Sequence, residues 1–177
     1  MRKLLQSSIY LIISISLFTS CEAWEDESYH PGDTNNGEDV TIPGVWKLTE
    51  LNLEEPFDFN QDGTANTSLM AETNCYQNEL MSFLPNNTGI STSNSYAQIT
   101  IDGENYTVEC VEETEETNFT WSQTQNDITV VIDGQTVTAV LSGNKLTYTI
   151  PEGFMTGPNG EGGFEILQDI TFVFTKQ

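Results

Sequence analysis

The chain has 177 residues, 27 of them acidic and five basic, with a formal net charge of −22 at pH 7 and a single histidine. Such a field repels nucleic acid and anionic lipid head groups, and Arg2 is the only guanidinium that could clamp a phosphate or carboxylate. With His30 as the lone imidazole there is no Ser-His-Asp or Cys-His arrangement, no zinc cluster and no glycine-rich phosphate loop, so an enzyme is not expected. Carboxylates are plentiful enough for glycoside hydrolysis, yet no pair stands out.

In residues 1–20, Arg2 and Lys3 precede the apolar run "IYLIISISLF", which stops at small residues. This is the form of a secretory signal, short for a membrane span. The junction "LFTSC" resembles a bacterial lipobox, with Phe18 where leucine is usual. That resemblance implies acylation of Cys21 and a membrane-anchored protein. The alternative is an ordinary cleaved signal that leaves Cys21 unmodified. Once the signal is removed, Lys47, Lys145 and Lys176 face 27 carboxylates, a formal charge of −24. Residues 21–41 carry seven acids, two glycines and a proline with hardly any aliphatic side chain, and form an expected disordered tether. About 20 flexible residues reach roughly 25 Å. The cluster Glu22, Glu25, Asp26, Glu27 resembles the acidic export signals of lipoproteins in Bacteroidetes-type bacteria. It implies the outer face of the outer membrane; the alternative is a plain solvated linker.

Residues 42–177 have the length of one domain, and their period is two nearly throughout. The first strand is expected at "GVWKLTELNL", followed by the loop "DFNQDG" and one or two helical turns around Ser68 to Asn74. Strands follow at "ELMSFL", "SYAQITID", "NYTVECV" and "NFTWSQT". Their turns are expected at Asn86 to Gly89, at Asp102-Gly103 and in the acidic run "EETEET". "DITVVID" then places Ile128, Val130 and Ile132 on one face. Asp133-Gly134 supplies a type I′ turn, and "QTVTAVL" answers with Val137, Ala139 and Leu141. Counting from the turn pairs Val130 with Val137 and Ile128 with Ala139, so turn chemistry and hydrophobic pattern specify one register. "KLTYTI" and the last strand, with Ile170, Phe172 and Phe174, complete about eight short strands. The expectation is an all-β, up-and-down antiparallel barrel with one short helix.

In "DFNQDG", Asp58, Asn60 and Asp62 offer side-chain oxygens, Gly63 permits the bend, and the Thr64 carbonyl is next in order for a calcium shell. An EF-hand requires a glutamate at position twelve, where this chain has Leu69; Glu72 is the nearest residue able to fold back and complete the shell. A structural Ca2+ is one reading. The other is that Asp, Asn and Gly are turn formers in an acidic chain. Cys75 and Cys110 remain after lipidation, in an oxidising compartment and without a neighbouring histidine, and are expected to be joined. Closing a loop of about 35 residues stabilises the fold by roughly 4 kcal/mol on the chain-entropy model.

The motif "IPGVWKL", followed by "DFNQDG" and then by "LMAETNCYQNELMSFLPNNTG", is similar to the lipocalin-like domains of many Bacteroidetes-type lipoproteins. The resemblance covers Pro43 to about Gly89, and the later strands follow it in order and spacing. It implies that Gly44 permits close approach and that Trp46 plugs the barrel floor. Lipocalins lay an arginine of the last strand over that tryptophan, and here only Lys176 can take the place. It further implies a barrel binding a small apolar or amphipathic molecule at one open end, with Phe154 and Met155 in "PEGFMTGPNGEGGF" as a lid. The alternative for that loop is a long β-connection packed on the barrel wall. The alternative for the whole protein is a non-catalytic surface module contacting protein, glycan or matrix, its barrel filled by side chains.

Overall fold

The computed structural model describes residues 41–102, 105–158 and 164–177. Cys21, the tether as far as Val40, and Gly103 of the expected turn lie outside the described residues. In chain order the elements are β1 (Gly44–Phe57), β2 (Asn66–Ser68), α1 (Leu69–Glu72), β3 (Leu80–Phe83), β4 (Thr88–Asp102), β5 (Asn105–Thr124), β6 (Asp127–Ile132), β7 (Gln135–Ser142), β8 (Lys145–Pro158) and β9 (Phe164–Lys176). From β3 onward each strand pairs antiparallel with the next, and β1 joins β3 on one side and β9 on the other. The result is a closed eight-strand up-and-down barrel, as the alternation predicts; β2 adds to the far end of β1.

The parity of β1 shows how the sequence builds the wall. Trp46 and Leu48 are buried at even positions, Leu51 and Leu53 at odd ones. Strict alternation would turn one pair outward, but the register shifts between Leu48↔Phe174 and Glu50↔Val173. This bulge absorbs one residue and keeps both pairs inside. In the β6–β7 hairpin, Val130 faces Val137 and Ile128 faces Ala139, the register expected from the turn. Asp133 and Gly134 both have positive φ, 49° and 76°, as a type I′ turn requires.

Two expectations are corrected. The run "EETEET" is not a turn: Glu112 to Thr117 lie inside the 20-residue strand β5, which pairs with β4 from Asp102↔Asn105 to Thr88↔Thr120. Its backbone is satisfied by the β4 ladder while the glutamates point into water, so the charges cost little and no turn is needed. The segment around Phe154 is likewise strand and not loop. Phe154 pairs with Gln168 and Met155 with Leu167 after a bulge beyond Ile150. The Phe154 ring packs edge-on against Phe59 at 5.9 Å and Phe57 at 6.1 Å, which makes it part of the wall.

Among the described residues the interior holds two cores. The lower core contains Trp46, Leu48, Phe83, Phe119, Ile128 and Phe174. Here Phe83 meets Trp46 and Phe119 edge-to-face at 6.4 and 5.0 Å. Trp46 is fully buried and its indole N–H donates to the Ile42 carbonyl at 2.8 Å. The Lys176 ammonium stands 5.7 Å from the Trp46 ring centroid and donates to the Thr41 carbonyl. Gly44 leaves room for the lysine stem, since a Cβ there would lie 3.0 Å from Lys176 Cε. At the other end of β1, Leu51, Leu53 and Ile170 pack with Phe59 from the loop and Leu69 from α1. Loop and helix thus cover that end of the barrel.

Gly89 sits where β4 passes Phe119. A Cβ there would lie 2.1 Å from the ring and 2.6 Å from the Ser82 carbonyl oxygen. Gly89→Ala is expected to cost about 1–3 kcal/mol in urea unfolding, partly restored by Phe119→Leu, which opens the ring side of the clash. A second expectation concerns alkaline pH. Burial raises the Tyr148 phenol well above its ordinary value of 10.0, with its ring stacked 4.7 Å from Phe172. The unfolded phenol loses its proton first, near pH 10. Stability present below that pH is therefore lost as pH rises above it. Tyr148→Phe should make the fall in stability above pH 10 shallower by about one proton, with the rest of the slope kept by Tyr76 and Tyr106, which burial also raises.

Candidate functional site

The loop after β1 is closed by its own side chains. Asp58 accepts from the Asp62 and Gly63 N–H groups at 3.0 and 2.8 Å, Asn60 Oδ1 from Asp62 N–H at 2.9 Å, and Asp62 from Thr64 N–H at 2.8 Å. These are turn-forming contacts of the Asx kind. Glu72 folds back onto the loop from α1 and is 4% exposed. Its carboxylate accepts from Phe59 N–H at 3.1 Å, from Asn60 N–H at 3.4 Å and from the Asn66 amide. Among the described residues no three His, Cys, Asp or Glu side chains group closely enough to hold a metal ion. Glu72 thus reaches back to the loop, as completing a shell would require, and there caps the backbone N–H groups of Phe59 and Asn60.

The same loop is tied to β5. The Tyr106 hydroxyl donates to the Asp58 carbonyl at 2.9 Å, and the Gln61 amide donates to the Tyr106 carbonyl at 2.6 Å. Behind α1, the Cys75–Cys110 disulfide fixes the chain to the middle of β5 with Cα atoms 5.2 Å apart. The segment from Cys75 to Glu79 then runs along β4. The Asn94 amide donates to the Asn78 carbonyl at 2.6 Å, Asn94 N–H donates to Glu79 at 3.1 Å, and the Ser95 hydroxyl donates to the Cys75 carbonyl.

Two clefts flank this bridge outside the barrel. One, of about 460 Å³, lies between the Asp58 loop and β5, with Asn60, Asn74, Tyr106 and Thr107 in its lining. The other, of about 540 Å³, lies between the Cys75–Glu79 segment and the β4–β5 ribbon, with Asn78, Asn94, Glu112 and Thr114. Asn74 and Cys110 line both, so the two clefts adjoin at the disulfide and together make the groove. Tyr106, Val108, Cys110 and Glu112 contribute because alternate residues of a strand share a face. By contrast, a cavity among the lower-core side chains Val130, Ala139, Leu146 and Tyr148 measures about 100 Å³.

The structure brings Asp58, Asn60 and Glu72 to the rim of the groove and Cys75 and Cys110 to its centre. It places Gly44 and Trp46 at the far end of β1, away from it. Tyr106, Asn74, Asn78 and Asn94 had no signal in the sequence: asparagines read as turn formers, and the pairing of β4 with β5 along their full length is what assembles them. Compared with known proteins, the chain matches no family model, no curated protein and no solved structure. The barrel agrees with a lipocalin-like fold, and no family is identified.

Glu72 has a stability role that can be measured. Removing a buried carboxylate that accepts two backbone N–H groups leaves those donors unpaired. Glu72→Ala is expected to cost about 2–3 kcal/mol in urea unfolding, equally in calcium and in chelator, with faster hydrogen exchange at Phe59 and Asn60. A loss seen only in calcium would instead place a cation in the loop.

Proposed function

We propose that this protein is a non-catalytic interaction module, anchored to the outer membrane through acylated Cys21 and facing the cell exterior, which holds its partner outside a filled barrel. One comparison supports this reading above the others. The lower barrel is packed with aromatic and aliphatic side chains around a cavity of about 100 Å³, while the clefts beside the disulfide measure about 460 and 540 Å³. Small-molecule sites usually occupy about 300–1,000 Å³. A benzene-sized ring is near the limit of what the inner cavity accepts. The outer clefts fall within the usual range.

The rest of the reading agrees with this. Phe154 packs on the barrel wall, and the end opposite Trp46 is covered by Phe59 and Leu69. The disulfide and the Tyr106 contacts hold the groove before any partner arrives, which reduces the ordering cost of binding. The high negative charge selects against anionic partners.

Native mass spectrometry of the mature chain, compared with a denatured sample, tests the proposal. The expected result is the bare protein mass. A reproducible extra mass of lipid or metabolite size, lost on denaturation, would return the function to the barrel interior.

A further inference from the structure

We infer that the groove beside the disulfide is a binding site for neutral oligosaccharide; this rests on the reading that the partner lies outside the barrel. From Tyr106 to Thr114 the β5 face extends roughly 25 Å at the rise of a strand, long enough for a chain of several sugar units. The two clefts lie one on each side of the disulfide along this stretch, so a chain laid across it meets both.

The lining chooses among ligand classes. Its polar side chains include amides at Asn60, Asn74 and Asn78, a hydroxyl at Thr114 and, beside the buried Glu72, the exposed carboxylate of Glu112. A primary amide donates and accepts side by side, and a carboxylate takes two donors, which suits the adjacent hydroxyls of a sugar ring. The side chains of Asn78 and Glu112 are exposed, so their polar groups are accessible to a ligand. No lysine or arginine lines either cleft, and a uronate, sulfate or phosphate would meet carboxylates with nothing to offset them. An apolar lipid would leave the amides and the carboxylate desolvated and unpaired. A hydrophobic peptide strand would need apolar pockets at alternate positions, and the β5 face offers only Val108 and the disulfide between polar groups. A neutral polyhydroxylated chain satisfies the lining on every count.

The test uses the mature chain with Cys21→Ser to prevent acylation, labelled with 15N. It is titrated at millimolar concentration with linear hexasaccharides of glucose, xylose, mannose and N-acetylglucosamine, with hexagalacturonate, and with a hexalysine peptide. At least one neutral hexasaccharide is expected to give saturable amide shifts at Asn74, Asn78, Thr107 and Thr114, and hexagalacturonate none. Asn78→Ala, at an exposed position outside both hydrophobic cores, should weaken that binding about tenfold while leaving the melting temperature unchanged. No saturable shift with any neutral sugar would overturn the inference, and the outside-the-barrel reading would still stand on a bare native mass. Groove shifts with hexalysine alone, fading with salt, would overturn it in favour of a basic protein partner. A lipid-sized native adduct would overturn the underlying reading itself.

Discussion

Pairing of the first strand with the last is the constraint on which the rest of this structure depends. β1 runs along β9 from Trp46↔Lys176 to Leu53↔Ile170, joining residues more than a hundred positions apart. A loop of that length is entropically expensive to close, and the cost grows slowly with its length. The closure removes the two free edges the meander would otherwise expose. It also brings the Lys176 ammonium over Trp46 and seals the floor of the barrel. Without the bulge near Thr49 the same pairing would expose either Trp46 and Leu48 or Leu51 and Leu53, and one of the two cores would lose its β1 side chains.

Closure at the floor leaves the other end to be solved differently. The β4–β5 and β8–β9 hairpins are much longer than β6–β7, whose pairing with β5 ends at Phe119↔Ile132. Beyond that point the core is completed by Phe57, Phe59, Leu69 and Phe154, with β1, the following loop, α1 and β8 each contributing. The loop is held by Glu72 and by Tyr106, so the groove and the upper core share supports.

Charge is used sparingly. Of the three lysines in the described residues, Lys176 covers Trp46 and Lys145 pairs with Glu50 at 2.6 Å on the exposed surface. The Lys145 contact, with help from the Asn52 amide, holds the Glu50 carboxyl below its ordinary value. An exposed pair of this kind adds little to stability. Glu113, Glu115 and Glu116 on β5 face solvent. They protect a long strand from pairing with other chains and keep the protein soluble.

Alternation and turn chemistry made the barrel legible from the residues alone. The β6–β7 register followed from Asp133-Gly134 and the Ile128/Val130 face, the helix was expected where α1 lies, and Cys75 and Cys110 were expected to join. These features depend on a few neighbouring residues, or on a simple pairing of the two cysteines left. The β1 bulge was not read from the residues and came only with the pairing to β9. The continuity of β5 through "EETEET", the inclusion of Phe154 in a strand and the assembly of the groove were decided by tertiary structure. A run of glutamates turns or extends according to whether a partner strand satisfies its backbone, and that partner, β4, is specified by residues elsewhere in the chain. The groove has the same origin: Asn74, Asn94 and Tyr106 become neighbours only after β4, β5 and the disulfide have brought three separate segments together.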